Sequence, residues 1–544
     1  MVALDPQTGA ERWQFNPDVN MDDYPLTNCR GVSSWEDPDQ QICPRRIVMG
    51  TLDGRLIALN AETGMPCPDF GDNDDKPGEV DLSDGLGTYE PAEYSVTSPP
   101  AILNNLAIVG ALVADSIKPD QPGGVVRAYD IRSGKLAWYW DPVPPNREPR
   151  TDPSNDIRFE RGTPNVWSII SVDQERNLVF LPTGNANNDY FAADRERIDH
   201  YSSSVVALHG DTGEVAWHFQ MVHNDVWDYD TPSQPTLYDI DIDGQTIPAL
   251  AQATKMGHVF LLNRETGEPL FPVEERPVPQ SDVPFEVLSP TQPFPTRPPP
   301  LHNREMTIDS AWGLRTQYRR QCQEKMADIR AEGIFTPPSL EGSIFYPGPG
   351  GGINWGSPAL DPISNTLVVK MNYFPMISTL TERRLCEKTG LASMPSTPYC
   401  HTIEGLTANN GMPCDRPPYG ELIAIDYATG DVNWRVPAGT MEDAFPLGSF
   451  LEGSPGAGGP MVTASGLIFM AATGDHYLKA YDIETGERLW RGRLPAGGHA
   501  IPMSYRIRQE GKQYVVIAAG GHWSMAAFDQ PLGAWVVAFA LPEP

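Results

Sequence analysis

The sequence predicts an all-β protein built from a repeated antiparallel sheet unit, and two observations support this prediction. A short motif occurs seven times: an apolar run ends in Asp or Asn (His once), and Thr or Ser followed by Gly comes after two further residues. In five of the seven copies a second run follows and ends in Trp. Such repetition indicates one copied supersecondary unit that shares its core with its neighbours. The copies are Ala3–Trp13, Ala58–Gly64, Ala128–Trp138, Ala207–Trp217, Leu261–Gly267, Ala424–Trp434 and Ala480–Trp490.

Each residue type of the motif has a physical reason. The Asp side chain and the Thr hydroxyl can bond nearby backbone groups and hold a tight turn, and the Gly supplies the positive φ that such a turn needs. Two apolar runs joined by this turn form a β-hairpin. The terminal Trp is a large apolar plate on a strand, which suits it to pack between adjacent sheets.

The spacing of the copies predicts the number of units. Successive motifs lie 54–79 residues apart, except for one gap of 163. Asn354–Val369 resembles a degenerate copy within that gap, so we expect eight units and an eight-bladed β-propeller with tryptophan-docking repeats. A linear β-solenoid is the alternative, but a unit this long fits a four-stranded blade better. The first motif begins at residue 3, so we expect the first blade to be incomplete and to expose unpaired strand edges.

Composition narrows the possible partners. The net charge of −31 argues against nucleic acid and against anionic membrane surfaces. No run of about 18 apolar residues is present. A propeller is one closed unit, so we expect a single domain over 1–544, with insertions at about 272–345 and 376–420. The first insertion is Pro-rich and extended at its start, and helical spacing follows from Thr307 to about Glu332. The second is expected to be irregular.

The chain has seven cysteines, which is compatible with an oxidising compartment. Cys29 and Cys43 are close enough in sequence to bridge a loop. Cys386, Cys400 and Cys414 fall in the second insertion, and Cys67 and Cys322 are isolated.

Several segments outside the motif carry residues that could do chemistry. His223–Asp230 holds three carboxylates, a His and a Trp, which fits either a solvated acidic turn or a metal ligand and general base. Lys255 precedes an apolar strand and is either a lysine whose stem lies along the surface or the partner of an anion. Asn185 and Asp115 follow strands, as turn residues or as oxygen ligands of Ca²⁺. Trp167 lies outside the repeat pattern and is either core or a platform for a planar ring.

With these segments the chain resembles the eight-bladed pyrroloquinoline quinone (PQQ)-dependent dehydrogenases, and it is most similar to the membrane-bound glucose/quinate/shikimate branch. The resemblance covers essentially all 544 residues. It rests on the repeats combined with Thr27–Ser33, Cys43–Arg46, Thr97–Pro100, Gly333–Pro338, Gly492–Gly498 and Gly511–His522.

The resemblance implies roles for individual residues. Asp228 matches the catalytic aspartate, which is the general base and a neighbour of the metal, and Lys255 matches the basic residue that contacts the quinone oxygens. Asp115 and Asn185 match ligands of the divalent cation, Ca²⁺ or Mg²⁺. The remaining matches are PQQ contacts: Trp167 beneath the ring, Asn354, Trp355, Thr97 and Arg30. Asp475 and His522 lie in motifs typical of the branch.

The resemblance also implies a reaction, an acceptor and a location. A polyol or sugar hydroxyl is oxidised, ubiquinone receives the electrons, and the enzyme works at the periplasmic face of the inner membrane. The membrane helices that usually precede this domain are missing, and so is a haem-attachment Cys-x-x-Cys-His. Trp35 stands where glucose-oxidising relatives show His, so quinate and shikimate compete with glucose as substrate. The alternatives are a non-catalytic propeller scaffold of outer-membrane assembly and an inactive truncated quinoprotein.

Overall fold

The computed structural model describes the chain except for residues 25–26, 72–75, 116–117, 119, 194, 196–197, 243, 387–393, 396, 445–446, 523–531 and 542–544. The chain divides into two compact units. The first unit is Met1–Asn224 with Met394–Ser396, and the second is Asp225–Ser393 with Thr397–Pro544. The prediction of one domain over 1–544 stays a prediction.

The first unit consists of antiparallel sheets whose strands follow one another along the chain. The first sheet pairs β1 (Val2–Leu4) with β2 (Glu11–Gln14). Three sheets have four strands each, and a short pair joins β7 (Tyr94–Ser95) to β10 (Leu112–Val113). The four-stranded sheets are β3 (Ser33–Glu36), β4 (Arg45–Gly50), β5 (Arg55–Asn60) and β6 (Glu79–Asp81); β8 (Ala101–Leu103), β9 (Leu106–Val109), β11 (Val126–Asp130) and β12 (Leu136–Trp140); β13 (Ser171–Asp173), β14 (Leu178–Pro182), β15 (Ser204–His209) and β16 (Val215–Gln220).

The second unit repeats this architecture. Outside the two insertions, two of its described sheets have four strands, and two have three. The three-stranded sheets are β17 (Thr236–Ile242), β18 (Gln245–Ala253) and β19 (Val259–Asn263), and β33 (Met503–Arg506), β34 (Gln513–Ala519) and β35 (Trp535–Ala540). The four-stranded sheets are β23 (Ala359–Asp361), β24 (Thr366–Asn372), β27 (Gly420–Asp426) and β28 (Asp431–Pro437), and β29 (Met461–Val462), β30 (Leu467–Met470), β31 (Tyr477–Asp482) and β32 (Arg488–Arg493).

The predicted motif turns are present. In the first copy Asp5 Oδ1 accepts hydrogen bonds from the backbone N–H groups of Gln7 and Thr8, at 3.0 and 2.9 Å. Five further copies make the same kind of turn, at Asn60, Asp130, Asn263, Asp426 and Asp482. In the copy with His209 the backbone carbonyl of that residue accepts from Thr212 and Gly213 instead. The Asp or Asn side chain therefore closes the turn, as the sequence predicts.

Tryptophan docking is also present within each unit. The Trp that ends one motif donates its indole N–H to a backbone carbonyl in the motif turn of the next sheet, and its ring covers the Gly of that turn. This contact couples neighbouring sheets through a buried plate and one hydrogen bond. The donor and acceptor pairs are Trp13 and Ala61 (3.1 Å), Trp138 and Gly210 (2.8 Å), and Trp434 and Ile483 (2.9 Å).

The expected degenerate unit at Asn354–Val369 is not a separate sheet. Residues 359–372 form β23 and β24, and β24 pairs with β27, which begins the motif copy at Ala424. The motif-like sequence is the turn between the first two strands of that copy's own sheet. Outside the two insertions, β33–β35 is the described sheet of the second unit that carries no motif copy.

The two insertions pair with each other in the second unit. The first contributes the hairpin β20 (Val273–Pro277) and β21 (Thr291–Pro295), and then β22 (Ser343–Phe345). β22 pairs with β25 (Met376–Glu382), which pairs with β26 (Tyr399–Gly405). The expectation that residues 376–420 are irregular is therefore wrong. The paired residues are 31–35 positions apart between β22 and β25 and 17–29 apart between β25 and β26, and local sequence patterns do not show such pairing.

The predicted helix over Thr307–Glu332 is shorter than expected. The helix α1 spans Thr316–Met326, and a second short helix, α2, spans Arg383–Cys386. Gly313 and the surrounding residues form bends and turns, which agrees with the poor helix propensity of Gly. None of the described helices is long and apolar enough to cross a membrane.

The cysteines pair differently from the expectation. Cys43 bonds to Cys67, not to Cys29, and Cys29 is exposed without a disulfide. Cys322 of α1 bonds to Cys414 and ties the two insertions together. The third disulfide joins Cys386 to Cys400. Proximity in the fold, rather than in sequence, selects the partners.

Gly213→Ala tests the docking of Trp138. Gly213 has a φ of +73°, and an added Cβ would lie 2.5 Å from the Trp138 ring. Gly9, in the same turn of the first motif, has a φ of +71° and no atom within 4 Å of an added Cβ. Both substitutions carry a backbone cost of about 1 kcal/mol, and only Gly213→Ala adds overpacking of about 1–3 kcal/mol. Thermal unfolding should show the larger loss for Gly213→Ala, and equal losses would contradict docking.

Candidate cofactor and active site

In the first unit, Trp167 contacts two of the residues predicted to bind PQQ. The guanidinium carbon of Arg30 lies 4.8 Å from the centre of the Trp167 ring, and Arg30 Nη1 donates to Thr97 Oγ1 at 2.6 Å. The backbone N–H of Arg30 donates to the Thr97 carbonyl at 2.9 Å. Ser98 Oγ holds the Trp167 carbonyl at 2.7 Å. The three residues thus place a cation, a hydroxyl and an aromatic ring side by side.

Asn185 follows β14 in the loop of the Thr-Gly-Asn motif and is buried. Its Oδ1 accepts two hydrogen bonds, from Arg195 Nη1 at 2.8 Å and from Ser202 Oγ at 2.9 Å. Arg195 is itself fully buried and also donates to the carbonyl of Ala186 at 2.7 Å. Both lone pairs of this amide oxygen therefore already have donors. Sequence reasoning did not single out Arg195, which lies ten residues further along the chain.

Asp115 follows β10, and its side chain is exposed. The carbonyl oxygen of Val113, the last residue of that strand, accepts a hydrogen bond from Asn165 Nδ2 at 3.1 Å. Asp115 is thus a carboxylate at the end of a buried strand, where the following residues leave the sheet.

The second unit contains a buried cluster of three charges. Lys255 Nζ lies 2.7 Å from Asp228 Oδ1 and 2.7 Å from Asp230 Oδ1. Only 6% of Lys255 is exposed. Burial lowers the pKa of the Lys255 ammonium, but the charges of Asp228 and Asp230 outweigh burial and hold this pKa above its ordinary value. The structure therefore brings the two predicted catalytic residues together and adds Asp230, which sequence reasoning saw only as one carboxylate of its segment.

A tight loop aims Asp228 at the lysine. The buried Asp225 accepts backbone hydrogen bonds from Trp227 and Tyr229 through Oδ1, at 2.9 and 3.1 Å. Asp228 itself has a φ of +57°, a conformation that Asp tolerates better than most residues. Asp225 is therefore the structural carboxylate of the segment, and its neighbours in the loop face Lys255.

Residues 333–338 of the first insertion pack against this loop. Trp227 Nε1 donates to the Thr336 carbonyl at 2.8 Å, and Phe335 packs edge-on against the Trp227 ring at 5.2 Å. The Tyr229 hydroxyl donates to the Pro347 carbonyl at 2.6 Å. The first insertion thus fixes the position of Asp228, a role that its sequence alone does not reveal.

Two glycines pack the stem of Lys255. Gly352 N–H donates to the Lys255 carbonyl at 2.6 Å, and a Cβ on Gly351 would lie 2.7 Å from Lys255 Cγ. Asn354 follows in the same segment, with Nδ2 donating to the Gly350 carbonyl at 2.8 Å and Oδ1 accepting from Trp355 N–H at 2.6 Å. The predicted PQQ segment around Asn354 therefore lies against the backbone of Lys255.

Trp355 stacks on His522, with ring centres 6.4 Å apart and planes at 27°. Asp475, by contrast, is buried in a structural role. Its Oδ2 accepts from Thr440 N–H at 2.7 Å, and its Oδ1 forms an ion pair with the buried Lys479. His522 thus joins a site segment, whereas Asp475 anchors a loop.

Trp35 does not face open space. It lies on β3, is 8% exposed, and packs in the core with guanidinium groups of Arg46 and Arg132 at 5.7 and 5.2 Å from its ring. The ring is thus enclosed by cation–π contacts. The structure thus places Trp35 in the core of its sheet, and its link to substrate choice stays a prediction.

A protein-family model matches the chain that contains the Trp167 and Lys255 sites. The model described as PQQ glucose/ethanol/alcohol dehydrogenase, β-propeller domain, matches residues 1–515. The chain belongs to this family. It is a quinoprotein dehydrogenase with a β-propeller domain, and the family acts on CH–OH groups. The predictions of family, enzyme class and propeller domain are confirmed.

Curated relatives agree with this assignment. The glycerol dehydrogenase large subunit of Gluconobacter thailandicus is 40% identical over the whole chain and 76% of its own length. Quinoprotein glucose dehydrogenase of Escherichia coli is 36% identical, and the quinate/shikimate dehydrogenase (quinone) of Acinetobacter baylyi is 37% identical, each over the whole chain and 70% of the relative. The chain is similar to enzymes named for three different polyols or sugars.

Two solved structures show the same fold. The quinohemoprotein alcohol dehydrogenase of Comamonas testosteroni has a TM-score of 0.67 at 21% identity, and covers all of the chain and 72% of its own. A europium-containing methanol dehydrogenase has a TM-score of 0.68 at 21% identity, over 99% of this chain and 87% of the other. The propeller fold is therefore shared at low sequence identity.

The quinoprotein also contains an ammonium group that sequence reasoning missed. Lys370 lies on β24 and donates to Asn372 Oδ1 at 2.7 Å and to the Ser454 carbonyl at 2.8 Å. The backbone N–H of Asn372 in turn donates a hydrogen bond to the Gly352 carbonyl at 2.7 Å, and Gly352 lies next to Lys255. Burial, together with the charge of Lys479, lowers the pKa of Lys370 to about 7. The sequence does contain a signal for this buried lysine. Lys370 interrupts the largely apolar run Thr366–Met371, much as Lys255 directly precedes an apolar strand.

Lys370→Met tests this buried lysine through pH. The folded pKa is depressed, so between about pH 7 and pH 10 the unfolded chain binds the extra proton and wild-type stability rises with pH. The contribution approaches about 1.4 kcal/mol per pH unit in that window. The melting temperature of Lys370→Met relative to wild type should therefore be highest near pH 6 and fall toward pH 9. A difference that is constant across this range would contradict a neutral Lys370.

Proposed function

We propose that this quinoprotein oxidises a hydroxyl of a polyol or sugar, from the glucose, quinate or shikimate class, and passes the electrons to ubiquinone. The observation that supports this most is the buried cluster of Lys255, Asp228 and Asp230. A buried carboxylate in contact with a retained ammonium is an arrangement typical of active sites. The names of the relatives supply the substrate class.

We propose that Trp167, Arg30 and Thr97 bind PQQ, together with Asn354 and Trp355. The guanidinium of Arg30 covers one face of the Trp167 ring, so a planar cofactor stacks on the other face. Arg30 and the Thr97 hydroxyl then donate hydrogen bonds to the carboxylate groups of the cofactor. The redox chemistry is that of bound PQQ, and the protein orients it.

For the divalent cation, Ca²⁺ or Mg²⁺, we propose Asp115, Asn185 and Asp228 as ligands. The oxygen chemistry of these side chains fits a hard cation. Asp115 is an exposed carboxylate, whereas Asn185 Oδ1 must exchange one of its two present donors for the metal. Among the described residues, one group of three His, Cys, Asp or Glu side chains lies close enough together to hold a metal ion: Cys43, Cys67 and Asp69. Its two cysteines form a disulfide, so we do not assign the cation to it.

In the proposed reaction Asp228 takes the proton of the substrate hydroxyl. Lys255 holds the Asp228 carboxylate in position through an ion pair at 2.7 Å. Asp230 shares the same ammonium and leaves Lys255 charged when Asp228 becomes protonated. Trp227 and Tyr229 fix the loop so that the carboxylate needs no reorganisation.

We propose eight blades for the propeller. The seven motif copies lie in separate sheets, and β33–β35 would be the eighth blade. The first sheet, β1–β2, has two strands and carries the first motif copy. From the family resemblance we propose that the enzyme is located at the periplasmic face of the inner membrane.

Reconstitution names the substrate. The chain is loaded with PQQ and Ca²⁺ or Mg²⁺, and dye-linked oxidation of glucose, quinate, shikimate and glycerol is measured, followed by reduction of a short-chain ubiquinone. We expect turnover with at least one polyol and ubiquinone reduction with that substrate. PQQ binding without oxidation of any of the four would contradict the proposed substrate class.

Asp228→Asn and Asp230→Asn separate the base from the ion pair. Each substitution removes one carboxylate at 2.7 Å from Lys255, so both weaken the cluster equally. Loss of the general base should lower kcat of Asp228→Asn about 10²–10⁴-fold while PQQ stays bound. Asp230→Asn should retain turnover within about tenfold. Turnover near the wild-type rate in Asp228→Asn would overturn the assignment of the base.

A further inference from the structure

Asn165 joins three segments of the first unit that carry predicted site residues. Its Nδ2 donates to the carbonyl of Val113, two residues before Asp115, at 3.1 Å. Its backbone carbonyl accepts from Gly184 N–H, directly before Asn185, at 2.6 Å. Trp167 follows two residues later in the chain. One buried residue therefore bonds to the Asp115 segment through its side chain and to the Asn185 segment through its backbone, and its own segment carries the ring platform.

None of the described residues donates a hydrogen bond to the amide oxygen of Asn165. Asn165 is 5% exposed, and among the described residues its Oδ1 accepts no hydrogen bond. A buried acceptor without a partner costs about 1–3 kcal/mol, so such oxygens are rare unless a ligand supplies the missing interaction. This orphaned oxygen lies against Gly184, where an added Cβ would approach Oδ1 to 2.7 Å. Glycine at this position keeps the oxygen uncovered.

The neighbouring amide shows the opposite state. Asn185 Oδ1 is saturated by Arg195 and Ser202, whereas Asn165 Oδ1 is oriented by its own Nδ2–Val113 hydrogen bond and has its lone pairs available. An amide oxygen that accepts and cannot donate suits a hard cation and repels a carboxylate. The chemistry of the missing partner is therefore that of a divalent cation, not of an anionic group.

We propose that Asn165 is an additional oxygen ligand of the divalent cation in this quinoprotein. The inference rests on the proposed function, since it adds a residue to that metal site. Asn165 would complete a set with Asp115 and Asn185, and its Nδ2–Val113 bond would hold its oxygen in place before the cation arrives.

Two substitutions at one position test this role. Asn165→Ala removes the oxygen and the hydrogen bond to Val113, whereas Asn165→Asp keeps an oxygen, adds a negative charge and loses only the hydrogen bond. Isothermal titration of Ca²⁺ and of Mg²⁺ into the PQQ-loaded chain gives the affinities. We expect Asn165→Ala to weaken cation binding at least about tenfold, within the range typical for residues around metal sites. Asn165→Asp should bind at least as tightly as wild type. Melting curves in EDTA check that both variants fold.

Three outcomes overturn the proposal: Asn165→Ala binds the cation within twofold of wild type, both variants lose affinity equally, or the wild-type chain binds no divalent cation. Equal losses would mean that Asn165 only supports the Val113 segment. Dye-linked turnover of the wild type is measured separately. Absence of turnover with the expected pattern of affinities would contradict the dehydrogenase reaction but not the ligand assignment.

Discussion

The turn of the repeated motif is the constraint on which the rest of the structure depends. An Asp or Asn side chain closes the turn in six of the seven copies, the glycine takes a φ near +70°, and in three copies a Trp from the preceding sheet lies on that glycine. The contact has room for no side chain at the glycine, so turn geometry and packing between sheets are set by the same residue. With the sheets coupled in this way, the loops at the strand ends become fixed positions for functional side chains.

The buried charges follow from this arrangement. Lys255 is tolerable in the second unit because two carboxylates lie within 2.7 Å, and they in turn are held by a loop whose Trp and Tyr bond to the first insertion. An unpaired ammonium there would lose its proton or destabilise the fold. Lys370 shows the loss of the proton: its partners are an amide oxygen and a carbonyl oxygen rather than a carboxylate, and its pKa falls to about 7.

The two insertions support the loop that carries Asp228. They pair through β22, β25 and β26, are joined by the Cys322–Cys414 disulfide, and present the Thr336 and Pro347 carbonyls to the active-site loop. A side chain such as Asp228 acts reliably only when residues behind it prevent the loop from moving. The long gap between motif copies is therefore part of the machinery that positions Asp228.

The sequence by itself determined the repeated hairpin, the Trp docking and the family, because turn chemistry and motif spacing depend on residues close together in the chain. It did not determine that 354–369 belongs to an existing sheet, which cysteines pair, or that Trp35 is core, since these depend on partners distant along the chain. Only the tertiary structure decided that Asp230 shares Lys255, that Arg195 saturates Asn185 and that Asn165 keeps an uncovered oxygen. Hydrogen-bond saturation is a property of three-dimensional neighbours, and no spacing rule encodes it.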